Sequence, residues 1–266
     1  MSSKLLDTLL MSEKRKNVAL LLMDGAKTSD EIKTILGLSS SSVMPQIKIM
    51  KESHIIVQHE HSYELSQMGR LLVHYMMPLL HMADVLEMHT DYWAEHDISK
   101  LPPSFMLRLC EFGECDVVQP EPEAPHDLPA VMKKHMMDSD SLYVVSSFFH
   151  PLVLQTYEKM DKKGVNIIRI STRSAFKNLI EKYQKESGTF PSFENVKFYI
   201  YEDELDVPVM MLTDNLLSLS LYNLKGMFDY KNVISSSESA LKWGQDYFDY
   251  YLERSKLIDP SVPLDK

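Results

Sequence analysis

The segment from Thr28 to Leu72 constrains this chain more than any other, because its turn chemistry and apolar spacing leave few arrangements open. Thr28 followed three residues later by Glu31 is the reciprocal capping pair that opens a helix, and Ile32, Ile35 and Leu36 then fall on one helical face. Gly37 supplies a left-handed residue for a tight connection, and Leu38 plugs the angle between this helix and the next. The second helix draws its caps from the run Ser39 to Ser42 and buries Val43, Ile47 and Met50, spaced by four and then three. Pro45 has no amide hydrogen and is tolerated in a first turn, which puts the helix start near Ser41 or Ser42. The outer face then carries Ser40, Ser41, Ser42, Gln46, Lys48 and Lys51, as a recognition helix must to meet base edges.

Ile55 to Leu65 follows as a short strand, a polar tip at His59, Glu60 and His61, and a second strand in which Tyr63 and Leu65 alternate with polar neighbours. That is a small wing, and the segment as a whole reads as a winged helix-turn-helix. The order of parts resembles the winged-helix repressors of the ArsR-like and related archaeal regulator families. The likeness rests on Val43, Ile47 and Met50 in the recognition helix and on Tyr63, Leu65, Ser66 and Gly69 at the close of the wing. Those families commonly place glycine where this chain has His54, a residue that enters the left-handed region more readily than most.

At 266 residues and 44% hydrophobic content the chain can fill two modest cores. Its apolar runs, such as Ala19 to Met23, are far shorter than the roughly 20 residues a spanning helix needs, so the expectation is a cytoplasmic protein with no membrane partner. Cys110 and Cys115 cannot make a disulfide framework. They are either small buried hydrophobes, Cys110 above all, or a redox or metal pair whose spacing of five does not match the usual zinc knuckle. The net charge of −10 divides unevenly: residues 1 to 80 carry nine basic and eight acidic groups, leaving −11 for the remainder. An acidic back half repels DNA except where the front presents its cations, which argues against a general nucleic-acid coat.

Ahead of the winged segment, Ser2 to Met11 reads as a short helix, and Ser12 to Lys16 opens a longer one that buries Val18, Ala19, Leu21 and Leu22. Lys14 and Arg15 oppose the helix dipole there, so they serve either phosphate contacts or a solvated face. Behind it a methionine-rich helix runs toward Trp93 with a kink expected at Pro78, as a dimerisation linker or an intrachain core helix. These features divide the chain into residues 1–70, a linker or dimerisation helix over 71–95, and a second domain over 96–266. Beyond the proline-rich tract Gln119 to Asp127 the pattern alternates: strand Leu142 to Ser146, helix Pro151 to Lys163, strand Val165 to Ile170, helix Ser174 to Lys185. Strands at Val196 to Tyr201, Pro208 to Thr213 and Leu216 to Tyr222 follow, then a long helix opening at Ser235 with Glu238 in the capping-box position. This is an α/β domain with a mixed sheet.

Two patterns name a family: Ser12-Glu13-Lys14-Arg15-Lys16 ahead of the helix-turn-helix, and Leu241-Lys242-Trp243-Gly244 with Tyr247, Phe248, Tyr250 and Tyr251. Together they resemble the winged-helix transcriptional regulators of methanogenic archaea whose second domain is the methanogenesis and filamentation regulator middle domain. The resemblance implies a first domain that binds promoter DNA and a second that senses an effector or mediates association. The second domain also looks like one half of the phospholipase D fold, as does the sugar-sensing domain of the TrmB-like archaeal regulators. Enzymes of that fold need H-x-K-x-x-x-x-D, which would fall here on Val207, Val209 and Asp214. The nucleophile and the phosphate-neutralising cation are both aliphatic, so no catalysis is expected.

The candidate DNA contacts are therefore Ser40, Ser41, Ser42, Gln46, Lys48, Lys51, Lys14 and Arg15, with His59 and His61 at the wing tip. His59 and His61 with His54 are alternatively a metal set, but no fourth ligand is evident and no metal or other cofactor is expected. Effector candidates sit at strand ends of the α/β domain, namely Ser146, Ser147, His150, Thr172, Arg173 and Asp214, where ligands of such sheets bind. The serines and threonine serve equally as helix caps, and Asp214 equally begins a turn. The expected partners are double-stranded DNA, a second copy of the chain in a homodimer, and a small-molecule effector. The competing class is a winged-helix module that docks on protein without reading DNA.

Overall fold

The computed structural model describes residues 3–124, 127–148, 153–187 and 191–259. The chain divides into two compact units, Met1–Leu80 and His81–Lys266.

In the first unit α1 (Lys4–Leu10) and α2 (Glu13–Leu21) are capped by Ser3 and Ser12, whose hydroxyls accept the Leu6 and Arg15 amides. After Gly25 come β1 (Lys27–Thr28), α3 (Ser29–Leu36) and α4 (Ser40–Glu52), then the wing strands β2 (Ile56–His59) and β3 (Ser62–Leu65). The capping box forms as expected: Glu31 accepts the Thr28 N–H at 2.7 Å, and the Thr28 hydroxyl accepts the Glu31 N–H at 3.3 Å. Gly37 is left-handed at φ 64°, and His54 adopts φ 57° as its position demands. The core gathers Leu9, Val18, Ile32, Val43, Ile47 and Met50 against Ile55, Tyr63 and Val73.

Three details differ from the sequence reading. Helix α4 begins at Ser40, with the Val43 N–H already bonded to the Ser39 carbonyl, so Pro45 lies past the first turn and forgoes a bond to Ser41. Ile35 is 55% exposed, because eight-residue α3 turns only the stripe of Ile32 and Leu36 inward. The wing is also a three-stranded sheet in the order β1-β3-β2, with Lys27 opposite Tyr63; a two-residue strand carries no periodic signal.

The wing closes onto helix α5 (Gln67–Met88) through a compact lock. The Ser66 hydroxyl donates to the His54 carbonyl at 2.7 Å and accepts the Gly69 N–H at 2.9 Å, while the Ser66 N–H bonds the Ile55 carbonyl at 3.0 Å. A side chain on Gly69 would overlap the Ile55 carbonyl oxygen, so only glycine permits the approach. Helix α5 runs through Pro78, and the division between the units falls within it. The chain breaks at His89 (φ −141°, ψ 57°), which puts Trp93 on a separate helix, α6 (Thr90–Glu95).

In the second unit α7 (Pro103–Met106) leads to β4 (Asp116–Val118), α8 (Ala130–Asp138), β5 (Ser141–Ser146), α9 (Val153–Asp161), β6 (Asn166–Thr172), α10 (Arg173–Ser187) and β7 (Val196–Tyr201). Then come β8 (Val209–Thr213), β9 (Leu217–Ser220), β10 (Asn232–Ser235), α11 (Glu238–Leu252) and β11 (Ser255–Ile258). Among the described residues they form an eight-stranded sheet, β11-β7-β6-β5-β8-β9-β10-β4. Only β5, β6 and β7 run parallel, so the sheet is mixed. Strands β4, β10 and β11 escape a periodicity search because they are three or four residues long with little alternation.

Alternating side chains feed two cores. Val145, Ile170, Met210 and Leu212 face α11, while Leu142, Val144, Ile167 and Met211 face α8, α9 and α10. Ser237 rather than Ser235 caps α11; Ser235 belongs to β10 and donates to the Phe112 carbonyl at 2.7 Å. Trp243 is buried with its indole N–H on the Phe105 carbonyl at 3.1 Å. A Cβ on Gly244 would come within 2.8 Å of a Leu217 methyl, so this glycine lets α11 lie close to the sheet. Cys115 packs in the same core and burial pushes its thiol up to about 11, whereas Cys110 is half-buried with its thiol raised by the same cause. The buried small hydrophobe is thus Cys115 rather than Cys110.

Two measurements follow. Gly→Ala inside a helix normally stabilises by up to about 1 kcal/mol, yet Gly69→Ala is expected to cost about 2 to 3 kcal/mol in chemical denaturation through overpacking against Ile55. Gly37→Ala, with open space around it and only the positive φ to strain, is expected to cost about 1 kcal/mol. At pH 8 roughly one part in a thousand of a thiol titrating near 11 is thiolate. A maleimide-type reagent is therefore expected to label Cys110 in the folded protein and Cys115 only after unfolding.

Candidate nucleic-acid interface and ligand cavity

Helix α4 presents two distinct sides. The ridge opposite the buried stripe of Val43, Ile47 and Met50 consists of Ser41, Pro45, Lys48 and Glu52, all exposed, with Ser40, Met44 and Lys51 beside it. Lys48 stands 3.9 Å from Glu52, a loose surface pair that leaves its ammonium free to turn. Lys51 donates to Gln58 of the wing at 2.6 Å, and Ser40 accepts from Lys33 at 3.1 Å. Ser42 and Gln46 do not share this outward ridge. The Ser42 hydroxyl is buried without a described partner, and the Gln46 carbonyl oxygen accepts from the Arg15 guanidinium at 2.8 Å.

Arg15 also donates to the Thr8 carbonyl, so its side chain ties α1, α2 and α4 together. Lys14 beside it is exposed. On the wing, His59 lies 3.0 Å from Glu64 and His61 is exposed, with Glu60 between them at φ 50°. Among the described residues no three His, Cys, Asp or Glu side chains gather as a metal set, so His54, His59 and His61 are not brought together.

The strand-end candidates of the second unit separate into two places. Strand β8 runs antiparallel to β5, with Leu142 opposite Thr213 and Ser146 opposite Val209. Asp214 therefore lies at the amino-terminal edge of the parallel strands, and Ser146, Ser147, Thr172 and Arg173 lie at the other. Asp214 accepts from the Asp140 N–H at 2.6 Å and from the Ser141 hydroxyl, which ties a turn rather than lining a cleft. Ser147 donates to the Val207 carbonyl at 2.7 Å, and Thr172 accepts the Ala175 N–H at 3.2 Å as a helix cap. Arg173 makes a two-bond pair with Glu202 at 3.2 and 2.6 Å. His150 falls outside the described residues.

A cavity of about 520 Å³ opens over the face that carries α8 and α9. Its walls are Met132, Met136, Val144, Val209 and Met211, with Phe228 and Tyr230, and Arg169 lies in the wall. Arg169 is 4% exposed and sits on β6 at the same parity as Ile167, where the alternation calls for a hydrophobe. Ser146 joins the lining, its hydroxyl accepting the Phe148 N–H at 3.1 Å and lying 2.9 Å from the Pro208 carbonyl. Arg169 was readable in principle. A lone arginine within Ile-Ile-Arg-Ile, on a strand flanked by two parallel neighbours, has no solvent face to turn to.

No helix among the described residues is long and apolar enough to cross a membrane. Residues 3–84 match the family model described as the amino-terminal domain of the methanogenesis regulatory protein FilR1, and residues 125–254 match that of its middle domain. The methanogenesis regulatory protein FilR1 of Methanothrix harundinacea (strain 6Ac) is 23% identical over 255 residues, covering 93% of this chain and 56% of the relative. The chain thus spans little more than half the length of the curated relative it matches. Among solved structures, TrmBL2, described as an archaeal chromatin protein with a novel mode of DNA binding, aligns over 95% of this chain and 97% of its own at 12% identity and a TM-score of 0.40. NucT from Helicobacter pylori aligns over 53% of this chain and 97% of its own at 11% identity and a TM-score of 0.42. With both domain models matched in order, one on each unit, the chain belongs to the family of methanogenesis regulatory proteins typified by FilR1.

Proposed function

We propose that this regulatory protein binds double-stranded DNA through its amino-terminal unit, as a homodimer, and that its second unit answers a small effector without performing catalysis. The observation that carries the DNA reading is the exposed ridge of α4, with Ser41, Lys48 and the flanking Ser40 and Lys51 beside a wing that adds His59 and His61. A helix so presented fits a major groove, and its lysines meet phosphate or base edges. Ser42 and Gln46, turned toward the body of the unit, contribute through the scaffold instead. The homodimer rests on α5, where Met68, Leu71, Tyr75 and Leu79 form one exposed stripe spaced by three, four and four. Val207 and Val209 in place of a phosphodiesterase His and Lys support the non-catalytic reading.

One observation favours the competing protein-docking module. Ile35, Met44 and Ile49 are exposed on α3 and α4, and apolar groups there suit a protein partner as well as thymine methyls.

Selection of binders from random duplex DNA with the full chain separates the two. A palindromic consensus is expected, and recovery of no enriched sequence, with equal affinity for all duplexes, would favour the protein-docking module. Ser41→Ala is expected to lower discrimination between consensus and random DNA by up to about 1 to 3 kcal/mol, while Lys48→Ala and Lys14→Ala reduce the salt dependence of binding by about one phosphate contact each. Arg15→Ala is expected to lower thermal stability by the loss of its bonds to Thr8 and Gln46. In light scattering the chain is expected to be a dimer at micromolar concentration, and the pair Leu71→Asp with Leu79→Asp a monomer.

A further inference from the structure

We infer that the Arg169 cavity is the effector site of the second unit and that its ligand is a carboxylate carried on an apolar body. This deepens the effector arm of the proposal above and does not depend on the DNA arm.

Arg169 is the starting point because its position is costly. A guanidinium buried to this degree loses most of its hydration, and such a charge is normally retained against a carboxylate. Arg169 has none among the described residues. Its partners are neutral oxygens: the Ser171 hydroxyl at 3.0 Å, the Tyr157 hydroxyl at 3.3 Å and the Phe148 carbonyl at 2.9 Å. Those bonds use three of the five N–H donors of the group and, among the described residues, leave one on each terminal nitrogen. They orient the guanidinium, as a binding residue requires, without neutralising it.

The cavity supplies the rest of the specification. Its volume of about 520 Å³ is in the range of small-molecule sites, and its lining combines methionines, valines and aromatic rings with polar groups such as Ser146, Gln155 and Asn232. Methionines at 132, 136 and 211 provide an adaptable surface suited to flexible aliphatic or aromatic bodies. Two lysines also line the cavity, Lys133, which is paired with Asp127 at 2.7 Å, and Lys159, which is exposed, so Arg169 is the buried cation of the wall. A single buried guanidinium in such a wall matches a monoanion in the planar, two-oxygen geometry of a carboxylate. A phosphate dianion would carry more charge than one buried guanidinium balances. The acidic character of the unit adds selectivity, since a small anion enters only where a cation of this kind rewards it.

The test is direct binding to the full chain by calorimetry, with octanoate, octanamide, octylamine and inorganic phosphate as probes. Octanoate is expected to bind at least tenfold more tightly than the amide of the same length, with no measurable binding of the amine or of phosphate. Arg169→Met is expected to abolish the preference for the acid over the amide, and Arg169→Lys, which keeps the charge and loses the planar fork, to retain part of it. Equal affinity for acid and amide in the unmodified chain would overturn the inference whatever the variants do, as would phosphate binding more tightly than octanoate. A chain that prefers octanoate but selects no DNA sequence would leave this site standing and sink the DNA reading. A chain that selects DNA but treats acid and amide alike would do the reverse.

Discussion

The second unit depends on one constraint: its parallel strands β5 and β6 are covered on both faces, so every side chain along them must either be apolar or find its polar partners inside. The constraint explains the near-continuous runs of Val, Ile and Leu, and the two separate cores to which alternate residues are assigned. It also explains why Gly244 matters, since α11 must approach closely enough to cover one face without a gap. Hydroxyls on these strands, such as Ser146 and Ser171, survive burial because each has a bond to make. Arg169 meets the same requirement only in part, with its donors oriented and its charge unopposed among the described residues.

The first unit solves a different problem with polar locks. It is small, and its helices are held by side-chain bonds at the junctions as much as by the core: Arg15 reaches Thr8 and Gln46, Ser66 reaches His54, and the capping box fixes the entry to α3. Each lock spends a polar side chain that a surface view of the sequence would assign to a partner. Lys51 and Lys33 are engaged in the same way, although their bonds are exposed and weak enough to exchange for a phosphate.

Legibility followed the strength of local signals. The capping box, Gly37, the left-handed His54 and the alternating strand Val196–Tyr201 carry their geometry in two to six adjacent residues, and each stands where the sequence puts it. Gly69 was legible as a motif position, but its reason, contact with a carbonyl fourteen residues away, exists only in three dimensions. Short strands β4, β10 and β11 are strands because the sheet offers them a neighbour. Ser42 and Gln46 stand off the outward ridge for a rotational reason: on a helix, one hundred degrees per residue separates a ridge from its flank, and polarity alone does not say which flank is covered.

The strand-end candidates are separated for a topological reason, and of those described only Ser146 reaches the lining of the cavity. A rule that gathers carboxyl ends of strands into one site holds while the strands are parallel; β8 reverses direction beside β5, so Asp214 and Ser146 stand at opposite edges. What remains continuous is the face between them, and there Arg169 links three segments: β6 itself, the end of β5 through the Phe148 carbonyl, and α9 through Tyr157. The Phe148 ring in turn packs on Phe228 at 5.2 Å. On the proposal above, a carboxylate would meet the N–H left on each terminal nitrogen, with the bonds to the Phe148 carbonyl and the Tyr157 hydroxyl kept. Under that proposal the ligand supplies the charge that the present partners of Arg169 do not, which is the differential interaction a ligand-responsive unit requires.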